Sequence, residues 1–459
     1  MAADLMPSRE VLDAAPPDPT ARALPSILSI SWIYVSVLGV TVAVFLSDWI
    51  DRVGWVAIPT GARHIAVLGL FTLNWLASGG RLAAGRGYRN GILLLGVYLL
   101  ATYLLVPVAA VNFALGTIFS FLFVALFLLG YSTRPSRRVV IKIFKGVLVF
   151  FALMSIGPVM QGLAAGVSLR QVPGFFRELG AFGAAMNVGV TLCLSLYVMT
   201  RRAIYLHIAG FFTFGVCLTI LKKSIVENLV IWVLFLAVHA TLRLRLKLIA
   251  LGAMTGGVGF FLVGSELMEN LTLNVNYLLD VGLQEHVRIG MFIASFRIAS
   301  DYFPLGSGMG TFGSLASVFG GYSQLYVEYG VSAMETNSPE AIAAGVSTLF
   351  DTFWPHILGE LGVLGTLIFL YLWFYPAKAS LSVMRSCQDP VVKGFCFYVT
   401  AVIVMMTAEG FTLFTPEIPS FIILHSGIGG MAFYHIVHYR RSNAPEARGS
   451  TIGLSVPHS

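Results

Sequence analysis

From residue 27 onward the chain is written as long apolar runs broken by short polar interruptions, with no alternation of apolar and polar positions at the two-residue period of a strand. Apolar runs near 27–48, 57–77, 90–106, 108–130, 140–160, 182–200, 203–221, 225–241, 246–264, 356–375, 391–411 and 418–438 predict about twelve helices. Each has about the 20 residues needed to cross a hydrocarbon layer of about 30 Å. Inside that layer every backbone N–H and C=O must be paired within the protein, which helices achieve along their own length. The expected fold is therefore all-α and polytopic. It divides into a tail at 1–26, helices over 27–264, one large loop at 265–355, three more helices over 356–438 and a polar tail at 439–459.

Composition sharpens this reading. Of 459 residues, 57% are hydrophobic and 11% charged, and the mean hydropathy is +0.83; a water-soluble domain cannot hide that much apolar surface. The first 26 residues carry Asp4, Glu10, Asp13 and Asp18, unlike the short basic start of a cleaved signal peptide, and read as a mobile cytoplasmic tail. Cys193, Cys217, Cys387 and Cys396 fall within or beside apolar runs, with no C-x-x-C pair. They read as small buried side chains, suggesting neither a metal site nor a disulfide framework.

The net charge of +7 belongs to helix flanks rather than to nucleic-acid binding, because basic residues accumulate on the cytoplasmic side of membrane helices. With the N-terminus inside, all but eight of the 29 basic residues fall in cytoplasmic segments, and both termini are expected in the cytoplasm. The eight are Arg52, Arg63, Arg170, Arg177, Lys222, Lys223, Arg288 and Arg297. Singly, each can be a solvated or lipid-facing anchor. As a group they suggest an anion bound at the outer face. Lys222 and Lys223 stand in a hairpin too short to belong to a soluble domain, and Glu227, one turn beyond Lys223, offers a pairing partner for one of them.

The long loop 265–355 carries its own signals. Val287, Met291, Ala294 and Ile298 recur at helical spacing, with Arg288 and Ser295 on another face, predicting an amphipathic helix near the membrane surface. PLGSGMGTFGS follows, with Gly306, Gly308, Gly310 and Gly313 permitting positive φ and close backbone approach. It lacks the preceding strand and the G-x-x-x-x-G-K-[ST] pattern of a phosphate loop. Asp351, His356 and Glu360 stand where the chain re-enters the membrane. Asp351 can cap a helix, His356 can be an interfacial polar tip and Glu360 can pair with a basic residue of a neighbouring helix. A carboxylate or imidazole facing several cations there is equally placed to act as a general base on a lipid-borne phosphate ester.

These residues resemble the signature region of the O-antigen ligase and polymerase superfamily, bacterial membrane enzymes that assemble surface polysaccharide. The resemblance is carried by Arg288, Phe296-Arg297, Asp301, PLGSGMGTF at 304–312 and GELGVLG at 359–365, by RELGAFGAAMN at 177–187 with Arg177, Gly180, Phe182, Gly183 and Asn187, and by LTILKKS at 218–224. It runs over roughly 160–370. It implies an inverting, metal-independent enzyme of the inner membrane that needs no cofactor. Such an enzyme transfers a glycan from undecaprenyl pyrophosphate to a sugar hydroxyl of an acceptor glycan on the periplasmic face, in contact with membrane lipids. Arg177, Lys222, Lys223, Arg288 and Arg297 would cradle the pyrophosphate, with Asn187, Gly306, Gly308, Gly310 and Glu360 shaping the site. Two departures stand out. Lysines occupy the place of a family arginine, and Asp351-Thr352 stands where ligase-type members carry His-Asn, nine residues before the Glu of the motif. The resemblance thus leaves Asp351 and His356 as candidate bases, Asp351 favoured, and tilts the reaction from ligation onto lipid A core toward polymerisation of exopolysaccharide or O-antigen. A transporter of a lipid-linked or anionic solute stays open as the alternative, although the two halves show no convincing internal repeat. The need for a chain-length regulator is also open.

Overall fold

The computed structural model describes residues 26–52, 60–83, 85–164, 179–219, 221–239, 287–318, 322–343, 349, 352–411 and 418–443. Every regular element among them is helical. In chain order the main ones are α1 (Ser26–Arg52), α2 (Thr60–Ala77), α3 (Arg86–Leu105), α4 (Ala110–Ser132), α5 (Arg137–Ala164), α6 (Leu179–Thr200), α7 (Ile204–Leu218), α8 (Lys222–His239), α9 (Val287–Asp301), α10 (Trp354–Ser386) and α11 (Pro390–Glu409). Last comes α12 (Pro419–Ser442), which passes through a π-helical stretch at Ile423–Ile428.

Seven of these, α3, α4, α5, α6, α10, α11 and α12, include a stretch long and apolar enough to cross a membrane. The described part of α1 at Trp32–Ser47 and α7 are apolar but shorter. α8 places Lys222, Lys223 and Glu227 in its first two turns. The chain is an all-α membrane protein. The expected run at 246–264 lies outside the described residues, as do Arg177 and Asp351.

The helices begin and end where local chemistry directs. The Asp389 carboxylate accepts from Val391 N at 2.8 Å and Val392 N at 3.3 Å, and Pro390 opens α11 where a missing N–H costs nothing. α6 is the most enclosed span, and small residues let its neighbours close on it, as packing between apolar helices in lipid requires. A Cβ at Gly394 of α11 would stand 2.8 Å from the Ser195 carbonyl of α6, and one at Gly189 would stand 3.0 Å from the Phe212 ring of α7. α3 lies at the periphery. It buries Tyr88, Gly91, Leu95, Tyr98 and Thr102 while exposing Leu93, Leu94, Val97 and Leu104, a side suited to hydrocarbon.

The two ends of the bundle differ. At one end Arg137 of α5 meets Asp389 at 2.6 Å, Arg134 and Arg441 approach Tyr131, and Arg201 and Lys393 approach His239. α5 and α11 start from this basic end, while α4, α6, α8 and α12 run toward it. The Lys222–Lys223 hairpin, the glycine-rich loop and the start of α10 belong to the other end.

α9 corrects one expectation. Its face with Met291, Ala294 and Ile298 is covered by protein rather than laid on a membrane, because Phe312, Leu325, Tyr326, Val331 and Leu349 close over it as a small second core. Ser295, expected on the polar side with Arg288, is buried and satisfied by donating to the Phe292 carbonyl at 2.8 Å.

Candidate functional site

The glycine-rich loop is the scaffold of the second end. Gly306, Gly308, Gly310 and Gly313 all have positive φ, between 70° and 92°. α10 is broken at Gly362, whose φ of 61° and ψ of −171° are not helical. A break frees carbonyls from the helical ladder, and at membrane depth they must be paired by protein. The loop does this: Ser307 N donates to Gly359 O and Gly308 N to Glu360 O, both at 3.0 Å. Tyr98 of α3 donates to Leu305 O at 3.0 Å and also reaches Leu361 O. Gly306 and Gly362 pass backbone against backbone, so a Cβ on either would strike the other's amide nitrogen.

Glu360 ties the same loop down from inside. Wholly buried, its Oε1 accepts from Phe312 N at 3.0 Å and Ser314 Oγ at 2.6 Å. This replaces the ion pair with a neighbouring helix that the sequence allowed. Tyr326 completes the tether, accepting from Gly313 N at 2.7 Å and sharing a hydrogen bond with Ser317 Oγ at 2.5 Å. Burial pushes its hydroxyl well above the usual phenol range, so it stays protonated. His356 is also enclosed rather than a tip at an interface. Its Nε2 lies 3.3 Å from Ser120 Oγ of α4, its ring meets the Phe353 ring edge-on at 4.9 Å, and Gly313 packs on its Cβ.

The two lysines separate. Lys222 is exposed at the first position of α8, whereas Lys223 Nζ lies 2.9 Å from Glu409 Oε2 at the end of α11. The ion-pair partner is therefore Glu409 rather than Glu227. Asn187 of α6 holds this corner together: its Nδ2 donates to Ser224 O at 3.0 Å and Glu227 Oε2 at 3.1 Å, and its Oδ1 accepts from Asn228 Nδ2 at 2.9 Å. Gly183, one turn earlier on α6, lies directly against the Ser224 side chain.

The end of α11 is where the separate pieces meet. Lys223 binds Glu409; Phe353 N donates to Gly410 O at 2.8 Å; Trp354 Nε1 donates to Thr407 O at 2.9 Å; and Phe292 of α9 stacks on Phe411 at 5.9 Å. Arg288 is exposed one turn before Phe292 and shares its side of α9. Arg297, also exposed, lies on a different side of that helix. The starts of α8 and α10 and the Arg288 side of α9 are thus brought together, while Arg297 is not. Arg63 sits at this end too, buried, donating to Ser47 O at 3.3 Å.

Sequence reasoning missed Glu409, Asn228 and Ser120. Glu409 had a signal, being a lone carboxylate at the end of an apolar run and followed by Gly410. Among the described residues no cluster of three or more His, Cys, Asp or Glu side chains is arranged to hold a metal ion. No protein-family model matches the chain, and no curated protein matches it.

Proposed function

We propose that this protein is a bacterial inner-membrane polymerase of exopolysaccharide or O-antigen. It transfers a glycan from undecaprenyl pyrophosphate to the hydroxyl of an acceptor glycan at the periplasmic face. Within this proposal about twelve helices span the membrane, both termini are cytoplasmic, and 265–355 is periplasmic. The observation that carries it is the meeting of the Lys222–Lys223 hairpin, the Arg288 side of α9 and the start of α10 around residues 407–411, at the end remote from the basic flanks. The basic end is the cytoplasmic end by the charge rule, which puts this junction outside.

The chemistry follows from the residues. As the glycosidic C–O bond breaks, negative charge builds on the departing pyrophosphate, and cations already held in place stabilise it without reorganising solvent. Lys222 and Arg288, both exposed beside the junction, are the phosphate contacts, with Arg177 from the matching motif. Lys223 is committed to Glu409 and fixes the hairpin that carries Lys222. Asp351 takes the proton of the attacking hydroxyl, and the enclosure of His356 behind Phe353 supports a positioning role for the histidine.

Deletion of the gene, followed by measurement of surface-glycan length, tests the reading. The deletion strain is expected to keep single units and lose long chains. Rescue is expected to fail with Asp351→Ala and to fall on the order of 100-fold with Lys222→Ala or Arg288→Ala, the size typical of removing one charge-stabilising donor. An unchanged glycan in the deletion strain overturns the proposal. Full rescue by Asp351→Ala beside an inactive His356→Ala moves the base to the histidine.

A further inference from the structure

Positions 138, 142, 145, 149, 153, 156 and 160 of α5 recur at intervals of three and four, so they share one side of the helix, and all are exposed. The first three are Arg138, Lys142 and Lys145; the others are Val149, Leu153, Ile156 and Met160, each at least half exposed. The opposite face, with Val140, Ile143, Val147 and Phe151, is buried in the bundle. One exposed stripe thus passes without interruption from cations to side chains suited to hydrocarbon. Helix length sets its depth. From Lys145 to the end of α5 at Ala164 there are 19 residues, about 28 Å of helix, close to a hydrocarbon thickness of about 30 Å. Lys145 therefore stands at the boundary of the apolar layer and Arg138 about 10 Å farther out, so the three cations run through the depth of the headgroups. Tyr34 of α1 stands beside them, since a Cβ at Gly146 would lie 3.1 Å from its hydroxyl. Trp32, half exposed, marks the same interface. Among the described residues the carboxylate of this end, Asp389, is already held by Arg137 at 2.6 Å.

We propose that this stripe of α5, bordered by Tyr34, is a binding site for an anionic phospholipid in the leaflet at the basic end. The headgroup phosphate lies on the Lys142 and Lys145 ammonium groups, with Arg138 above and the Tyr34 hydroxyl as a neutral donor. The acyl chains lie along Val149, Leu153, Ile156 and Met160. A lipid is the occupant that fits both halves of the stripe, because an acidic protein segment or a free phosphate would engage the cations and leave the apolar half unused. Basic side chains near the ends of spanning helices commonly extend toward water and attract anionic lipid diffusely. Diffuse attraction makes every cation of this end count alike, whereas a site makes Lys142 and Lys145 count most. The inference is independent of any glycan chemistry.

Native mass spectrometry of the purified full chain in detergent, titrated with dioleoylphosphatidylglycerol or dioleoylphosphatidylcholine, tests this. The two lipids share acyl chains and differ in headgroup charge. Wild type is expected to bind its first phosphatidylglycerol at least about tenfold more tightly than phosphatidylcholine, since a basic residue beside an anionic lipid is worth about fivefold in affinity. Lys142→Gln and Lys145→Gln are each expected to lose about fivefold, and the double variant to lose most of the preference. Both positions are exposed, so neither change disturbs the packing of α5. Lys378→Gln removes an exposed cation of α10 at the same end and is expected to leave the first site unchanged. Equal binding of the two lipids by wild type overturns the proposal and turns the cations over to an acidic protein segment. A preference that survives in the double variant, or that falls equally with Lys378→Gln, overturns it as well.

Discussion

Glu360 and Lys223 show how one side chain is committed by its neighbours. The Glu360 carboxylate faces a backbone amide and a hydroxyl in a wholly buried place. Glu360→Gln keeps an acceptor oxygen for both and is expected to change stability little. Glu360→Ala strands two buried donors, and at about 1–3 kcal/mol for each unsatisfied group it is expected to cost about 3 kcal/mol, measured as a lower denaturation midpoint in detergent. Lys223 and Glu409 predict a different pattern. Removing one member leaves a buried charge unbalanced, whereas exchanging both keeps the pair. Lys223→Glu and Glu409→Lys are each expected to reduce folded protein, and the double exchange to recover part of it, as measured by the monodisperse fraction on size exclusion.

The contact between the glycine loop and the break in α10 is a joint between two elements, and neither half stands without the other. The loop amides of Ser307 and Gly308 pair carbonyls that the Gly362 break releases. Gly306 and Gly362 adopt positive φ, where a side chain costs on the order of 1–3 kcal/mol, and each would also meet the opposing backbone. Gly306→Ala and Gly362→Ala are therefore expected to destabilise by at least about 3 kcal/mol, read as loss of folded protein in the membrane. Gly96 of α3, which has open space around its Cα, is the control and is expected to tolerate alanine. The α6–α8 corner is gentler. Hydrogen bonds between membrane helices average about 0.6 kcal/mol, so the three bonds of Asn187 together contribute about 2 kcal/mol. Asn187→Leu is expected to weaken the corner by that amount without abolishing the fold.

For the molecule as a whole, sidedness is the property to test. The gathering of Arg134, Arg137, Arg201 and Arg441 at one end, and of the lysine hairpin, α9 and the start of α10 at the other, predicts that reporters fused after residue 202 and after residue 442 act as cytoplasmic. One inserted at residue 329 is expected to act as periplasmic. A cytoplasmic signal at 329 removes the proposed site from its substrate.

The helical, membrane-embedded nature of the chain was legible because it is written locally: apolar runs of the right length, ended by Pro, Gly and basic residues, oblige the backbone to pair along itself. That Lys222, Lys223 and Arg288 stand apart from the basic flanks was legible from where cations fall along the chain. Contact partners were not, because they join residues far apart in sequence. Nothing near Lys223 names Glu409, nothing near Ser295 announces the cover over α9, and nothing near Glu360 reveals that a loop some fifty residues earlier supplies its donors. Those choices were made when helices closed on one another in an apolar setting, where each buried charge and freed carbonyl had to find a partner across space.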